Sequence, residues 1–310
     1  MKRAALILFL LVPAWGQVAA PLLGYLPDGK QVRPVYGTVA AASVADAIRT
    51  GEDVGHASAV RESVLILDAD AGAISVFTGG VLKYIPGARN APDMTALSPT
   101  GQAAVLWFQS NASVQILSAL AGTPALRNVD ASFRGSAPTA LAVSDDGQWM
   151  AGAWPDGTYA FGPLGEVLQL QVDGAAAAAE FFPGSHDLGL ATGRGLWIVT
   201  DVGGRTAPRS LWQAPLEEAF DAIAVAGGAR RLYAATRAGT ILMVPLGDGD
   251  VGRVSCECQP VGLARMAGNA FRLTGPVNNA IKLFDADSAA VYFAPIRPLD
   301  LSNRTGGRSR

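Results

Sequence analysis

Cysteine is almost missing from this chain: Cys256 and Cys258 are the only two in 310 residues. Two cysteines cannot make a disulfide framework, so a small stapled scaffold is excluded. Histidine is as scarce, with His56 and His186 alone, and a zinc centre wanting four nitrogen or sulfur ligands has too few candidates. Charge is low, at 16% of residues with a net of −2, which gives no ground for nucleic acid or an anionic membrane as partner. There is no glycine-rich phosphate loop, and no serine or cysteine in a nucleophile-elbow setting. No apolar run reaches the roughly 20 residues of a spanning helix, and no convincing stretch carries the 3.6-residue period of an amphipathic helix.

What the chain does have is apolar residues, at 50%, and many turn formers, with 36 glycines and 19 prolines spread along its length. That suits a large core cut by many tight turns rather than a disordered chain. Lys2 and Arg3 followed by the apolar run Ala4–Val12 have the layout of a secretory signal peptide. Ala14 and Gly16 supply small residues for cleavage before Gln17, so residues 1–16 are expected to be removed and the protein to be secreted or periplasmic.

The clearest unit is residues 139–172. It reads as four short strands, Ala140–Val143, Trp149–Trp154, Thr158–Phe161 and Val167–Val172, joined at Asp145-Asp146-Gly147, Pro155-Asp156-Gly157 and Gly162-Pro163-Leu164-Gly165. Asp-Gly and Pro-Asp-Gly mark hairpins because glycine accepts a positive φ and Asp or Pro sets up the turn. Fainter copies recur. Taking Ser58, Ser98, Ser144, Pro183, Ala226 and Ala267 as equivalent, the spacing is 39 to 46 residues. Four strands per 40–45-residue repeat is the signature of a β-propeller blade. The Ala-rich run 174–179 is read as an inner strand, where small side chains fit the crowding near the axis.

The expected fold is therefore all-β: a propeller of four-stranded antiparallel blades over residues 58–296, with six recognisable blades. Residues 17–57 hold a hairpin, Leu22–Leu26 and Gln31–Tyr36, resembling the outer half of a blade. It is expected to close the ring beside the last blade or as a seventh, with a short helix over Ser43–Gly51 in an insertion. Residues 297–310 are polar and basic and read as a disordered tail.

The phrases SPTGQAAVLWF and SDDGQWMAGAW resemble the turns of WD40-like and YVTN-type bacterial propellers. The resemblance implies the propeller fold and no particular chemistry, because the fold hosts many functions. The Gly-His and Trp-Asp marks of true WD40 repeats do not recur.

The residues offer no catalytic, cofactor-binding or metal-ligating set, and no cofactor is implied. Asp68 with Asp70 and Asp285 with Asp287 form D-x-D pairs, which read as solvated turns, since calcium needs 6–8 oxygen ligands. His56, in the insertion, and His186, in a turn, read as exposed. Trp107, Trp149, Trp154, Trp197 and Trp212 read as packing between blades rather than as a sugar-binding rim. Cys256 and Cys258 are placed on a strand, where positions i and i+2 share a face. They are read as structural, a vicinal disulfide being one form of that role. The functional expectation is a secreted, non-catalytic binding or scaffold protein, monomeric, with a protein or small-molecule partner and no membrane span after signal removal. The alternative is a propeller hydrolase, lactonase or lyase acting at the axial opening.

Overall fold

The computed structural model describes residues 20–50, 54–69, 72–89, 91–131, 136–204, 206–215, 220–275 and 280–296. The expected signal segment 1–16 and tail 297–310 lie outside the described residues. The protein is a seven-bladed β-propeller. Six blades are four-stranded antiparallel meanders, covering residues 54–84 (blade 2), 94–130 (blade 3), 140–170 (blade 4), 176–213 (blade 5), 222–255 (blade 6) and 262–295 (blade 7). Among the described residues blade 1 has three strands, Leu22–Asp28, Gln31–Tyr36 and Ser43–Val44. Among the described residues no helix is long and apolar enough to cross a membrane.

Each blade buries both faces, and each interface between neighbours holds one hydrophobic cluster, giving seven clusters around the ring. Five of the six tryptophans fill or flank these interfaces. Trp107 of blade 3 meets Trp154 of blade 4 edge-on, ring centroids 6.1 Å apart, and Trp149 and Trp197 pack between blades 4 and 5. Trp212 stands 4.9 Å from Phe220 between blades 5 and 6. The Ala-rich run forms the first strand of blade 5, Ala176–Phe181, where tertiary packing overrides alanine's helical preference.

The repeat phrase has a local cause. Ser98 and Ser144 are buried, and their Oγ atoms accept the N–H groups of Ala103 and Trp149 at 3.0 Å, tying each turn to the strand that follows. Gly147 in the second of these turns has φ +69° and is pressed against Ser118 of blade 3, so it is required both by conformation and by space.

Blade 1 closes the ring but does not copy the repeat. The N–H of Arg61, just after the first strand of blade 2, donates to the carbonyl of Arg265 at the end of the first strand of blade 7 (2.8 Å). At that same end Ala267 N–H donates to Leu23 O (2.7 Å), so Leu22–Asp28 starts where its neighbours finish. It therefore runs opposite to the first strands of blades 2 and 7, with the direction of a blade's second strand. Among the described residues no strand lies inside it, and the first strands of blades 7 and 2 touch each other across the seam. The outer closure is a parallel bridge between Val44 and Ile296.

Two expectations for this region are corrected. Residues 45–50 are not helical: Ser43–Val44 is a strand, and the N–H groups of Ala45 and Ile48 continue its pairing to Pro34 O and Val32 O (2.9 and 2.8 Å). Edge pairing satisfies these donors where an isolated helical turn would leave them open. His56 lies on the first strand of blade 2, Val54–Val60, not in an insertion.

Candidate functional site

The seam left by the short blade 1 is pinned at the Arg61–Arg265 end and open at the other. There it forms a pocket of about 900 Å³ bounded by blades 1, 2 and 7, with Thr95 of blade 3 at its edge. Its walls combine Leu26 and Pro27 from blade 1 with His56 and Ser58 from blade 2 and the Gln259–Val261 loop leading into blade 7. Ser58 and Thr95 hydroxyls are hydrogen bonded at 3.2 Å. Among the described residues no aspartate or glutamate lines the pocket.

The notable wall residue is Arg272, in the middle of the blade 7 strand Ala270–Thr274. Its strand neighbours Phe271 and Leu273 turn into the core shared with blade 6, which sends Arg272 to the seam face. It stands opposite Ala264 in the ladder, and Ala57 and Ala59 lie across the seam, so small residues leave the space its side chain reaches into. Arg272 is only 8% exposed, its Nε is buried without a hydrogen-bond partner, and among the described residues no ion pair reaches it. Burial lowers its guanidinium to about 10, with no opposing carboxylate. Holding that charge bare costs the fold on the order of 3 kcal/mol.

The opposite end of the axis is also charged, but there one of the buried arginines meets a carboxylate. Arg265, 3% exposed, leaves blade 7 on the other face, rests over the Phe271 ring (4.9 Å) and donates to Glu180 of blade 5 at 2.8 Å and to the Gly227 carbonyl. Burial outweighs the pull of Arg265 and holds the Glu180 carboxyl above the ordinary glutamate value. Arg61 stands nearby, lowered by burial first and by Arg265 second. Asp145 joins three blades: one carboxylate oxygen accepts the Thr100 N–H and hydroxyl (2.9 and 2.6 Å), the other the Gly184 N–H (2.7 Å). A residue legible in the sequence only as part of a turn is thus a clamp between turns.

Of the remaining sequence candidates, His56 and Cys258 border the seam pocket and the others fall elsewhere. The Cys256 and Cys258 sulfurs are joined, with the Cα atoms 5.1 Å apart. Their placement on a strand is corrected: the strand Gly252–Ser255 stops before them, and Glu257 has φ +47°, folding the chain back so that the two Cα atoms approach. Lys282 Nζ donates to the Cys256 and Glu257 carbonyls (2.9 and 2.7 Å), and Cys258 borders the seam pocket. His186 Nε2 lies 2.9 Å from an Asp146 oxygen, remote from His56 in the pocket wall. Asp285 takes the Asp287 N–H (3.1 Å) and Ser288 hydroxyl (2.7 Å), a closed turn. Asp68 ends a strand, and Asp70 lies outside the described residues. No three His, Cys, Asp or Glu side chains among the described residues are grouped to hold a metal ion.

No protein-family model matches the chain, and no curated protein matches it. Solved structures do. A functionally unknown protein from Desulfotomaculum acetoxidans superposes with TM-score 0.58 and 11% identity, over 89% of this chain and 99% of that one. Apo AztD from Citrobacter koseri gives 0.55 and 15%, over 90% and 95%. Dihydro-heme d1 dehydrogenase NirN in complex with DHE gives 0.50 and 14%, over 89% and 66%. At such identities the likeness is one of fold, in agreement with a WD40-like or YVTN-type propeller.

Proposed function

We propose that this is an exported, monomeric, non-catalytic binding propeller whose ligand is a small molecule held in the seam pocket. The observation that carries the reading is the pocket itself, about 900 Å³ at the interruption of the repeat, within the roughly 300–1,000 Å³ of ligand sites. Its walls mix apolar surface with a few fixed polar groups, the make-up that holds and orients a ligand. Binding is favoured over turnover because the walls pair one imidazole, His56, with no carboxylate among the described residues, and acid–base chemistry needs two groups with opposed roles. The axial end offers Asp145, Glu180, Arg61 and Arg265 from four blades, but Asp145 and Glu180 are already engaged by groups of other blades. Export is supported by the composition of residues 1–16 and by a disulfide, which persists in oxidising compartments.

The test is a thermal-shift screen of the mature protein against a library of small metabolites, followed by calorimetry of the hits. A hit of 1:1 stoichiometry whose binding is lost when Ala264→Trp fills the pocket supports the reading. Hits indifferent to that variant, or multiple turnover of any hit, would overturn it.

A further inference from the structure

We propose that the seam pocket is built for an amphipathic monocarboxylate, its carboxylate gripped by Arg272 and its apolar body lying against Val261 and Phe293 at the mouth. This rests on the pocket being a small-molecule site and adds the class of molecule. Buried polar groups without partners are rare in folded proteins. Arg272 is such a group, 8% exposed with no partner to its Nε, and it borders open space rather than packed side chains. A guanidinium presents a planar fork of donors that matches a carboxylate in two parallel hydrogen bonds. In a wall without acidic residues nothing competes with a ligand for that fork.

The charge balance points to one negative charge. The second cation of the wall, Lys282, already donates to two carbonyls and rests over the Phe293 ring (4.9 Å). That leaves Arg272 as the uncommitted cation, which suits a monocarboxylate better than a phosphate dianion. The mouth selects for apolar bulk. Val261 and Phe293 are large hydrophobic side chains left 68% and 62% exposed, and both border this pocket. Leu26 and Ile281 extend the apolar surface inward. Exposed apolar groups gathered at one opening are the mark of a contact surface rather than of scattered residues.

Calorimetry of the mature chain tests this with two carboxylates, 2-naphthoate and octanoate, their neutral counterparts 2-naphthol and 1-octanol, and acetate and inorganic phosphate. One of the two carboxylates should bind 1:1, about tenfold more tightly than its alcohol and than acetate or phosphate. Arg272→Met should remove that tenfold preference, while Phe293→Ala should weaken acid and alcohol alike and keep it. Arg272→Lys, which keeps the charge without the fork, should lose several-fold and serves as the variant if the methionine form does not fold. Equal binding of acid and alcohol, or a preference untouched in both Arg272 variants, would overturn the carboxylate and leave the pocket reading standing. Tighter binding of phosphate would overturn the single charge. Failure of all six probes at about millimolar concentration would overturn both readings.

Discussion

Blade 7 buries two arginines on neighbouring strands, each with its Nε unpartnered, but only one of them meets a carboxylate. Arg265 leaves the sheet on one face and is met by Glu180, the Gly227 carbonyl and the Phe271 ring. Arg272 leaves it on the other and meets alanines and space. Residue type and burial are nearly the same, so the difference lies in what the blades on each side supply. Towards blades 5 and 6 the ring is complete and provides a carboxylate. Towards blade 1 it is interrupted. A buried charge that is matched supports structure, whereas one left open imposes a free-energy cost that structure alone does not explain.

The contrast predicts effects of opposite sign. Arg265→Met should destabilise the fold by about 3 kcal/mol in urea unfolding, because Glu180 is left buried without its partner. A neutral outcome would erase the distinction between the two ends. Arg272→Met should stabilise the unliganded protein by about 1–3 kcal/mol, seen as a raised Tm, since an unpaired charge gives way to an apolar chain of similar length. Loss of stability there would show that the guanidinium supports the fold, and the comparison would fail. The smallest effect concerns Glu180. Its raised carboxyl keeps a proton that the unfolded chain has already lost, so stability should be highest below about pH 4.3 and fall as pH rises through the folded value. Glu180→Gln should flatten that decline in denaturation curves taken from pH 4 to 7; an unchanged slope would assign it to another group.

The blades were legible because their turns are written in residues with steric meaning. Asp-Gly and Pro-Asp-Gly in residues 139–172 place the observed strands to within a residue or two. The hairpin at residues 22–36 was legible as outer-blade material, but its direction was not, since direction depends on contacts with blades 2 and 7 far along the chain. The spacing of Cys256 and Cys258 is legible but their backbone is not, because alternation assumes extended residues and Glu257 is left-handed. Arg272 carries no such signal. In the strand Ala270–Thr274 a lone arginine reads as a residue facing water, and only the ring's topology turns that face inward. The remaining signal was the alanine-rich surroundings, Ala57, Ala59 and Ala264, which are too common in inner strands to single out a site.

The closure between Val44 and Ile296 also sets an order of events. Blade 1 is made first and blade 7 last, so the N-terminal hairpin has no second neighbour until nearly the whole chain has emerged. Joining ends so distant in sequence is the slow kind of contact, with its loop entropy lost before any packing is gained. The seam therefore comes into being only once blade 7 has been made, and a molecule truncated just before residue 262 would carry most of a propeller yet none of the blade 7 wall that holds Arg272.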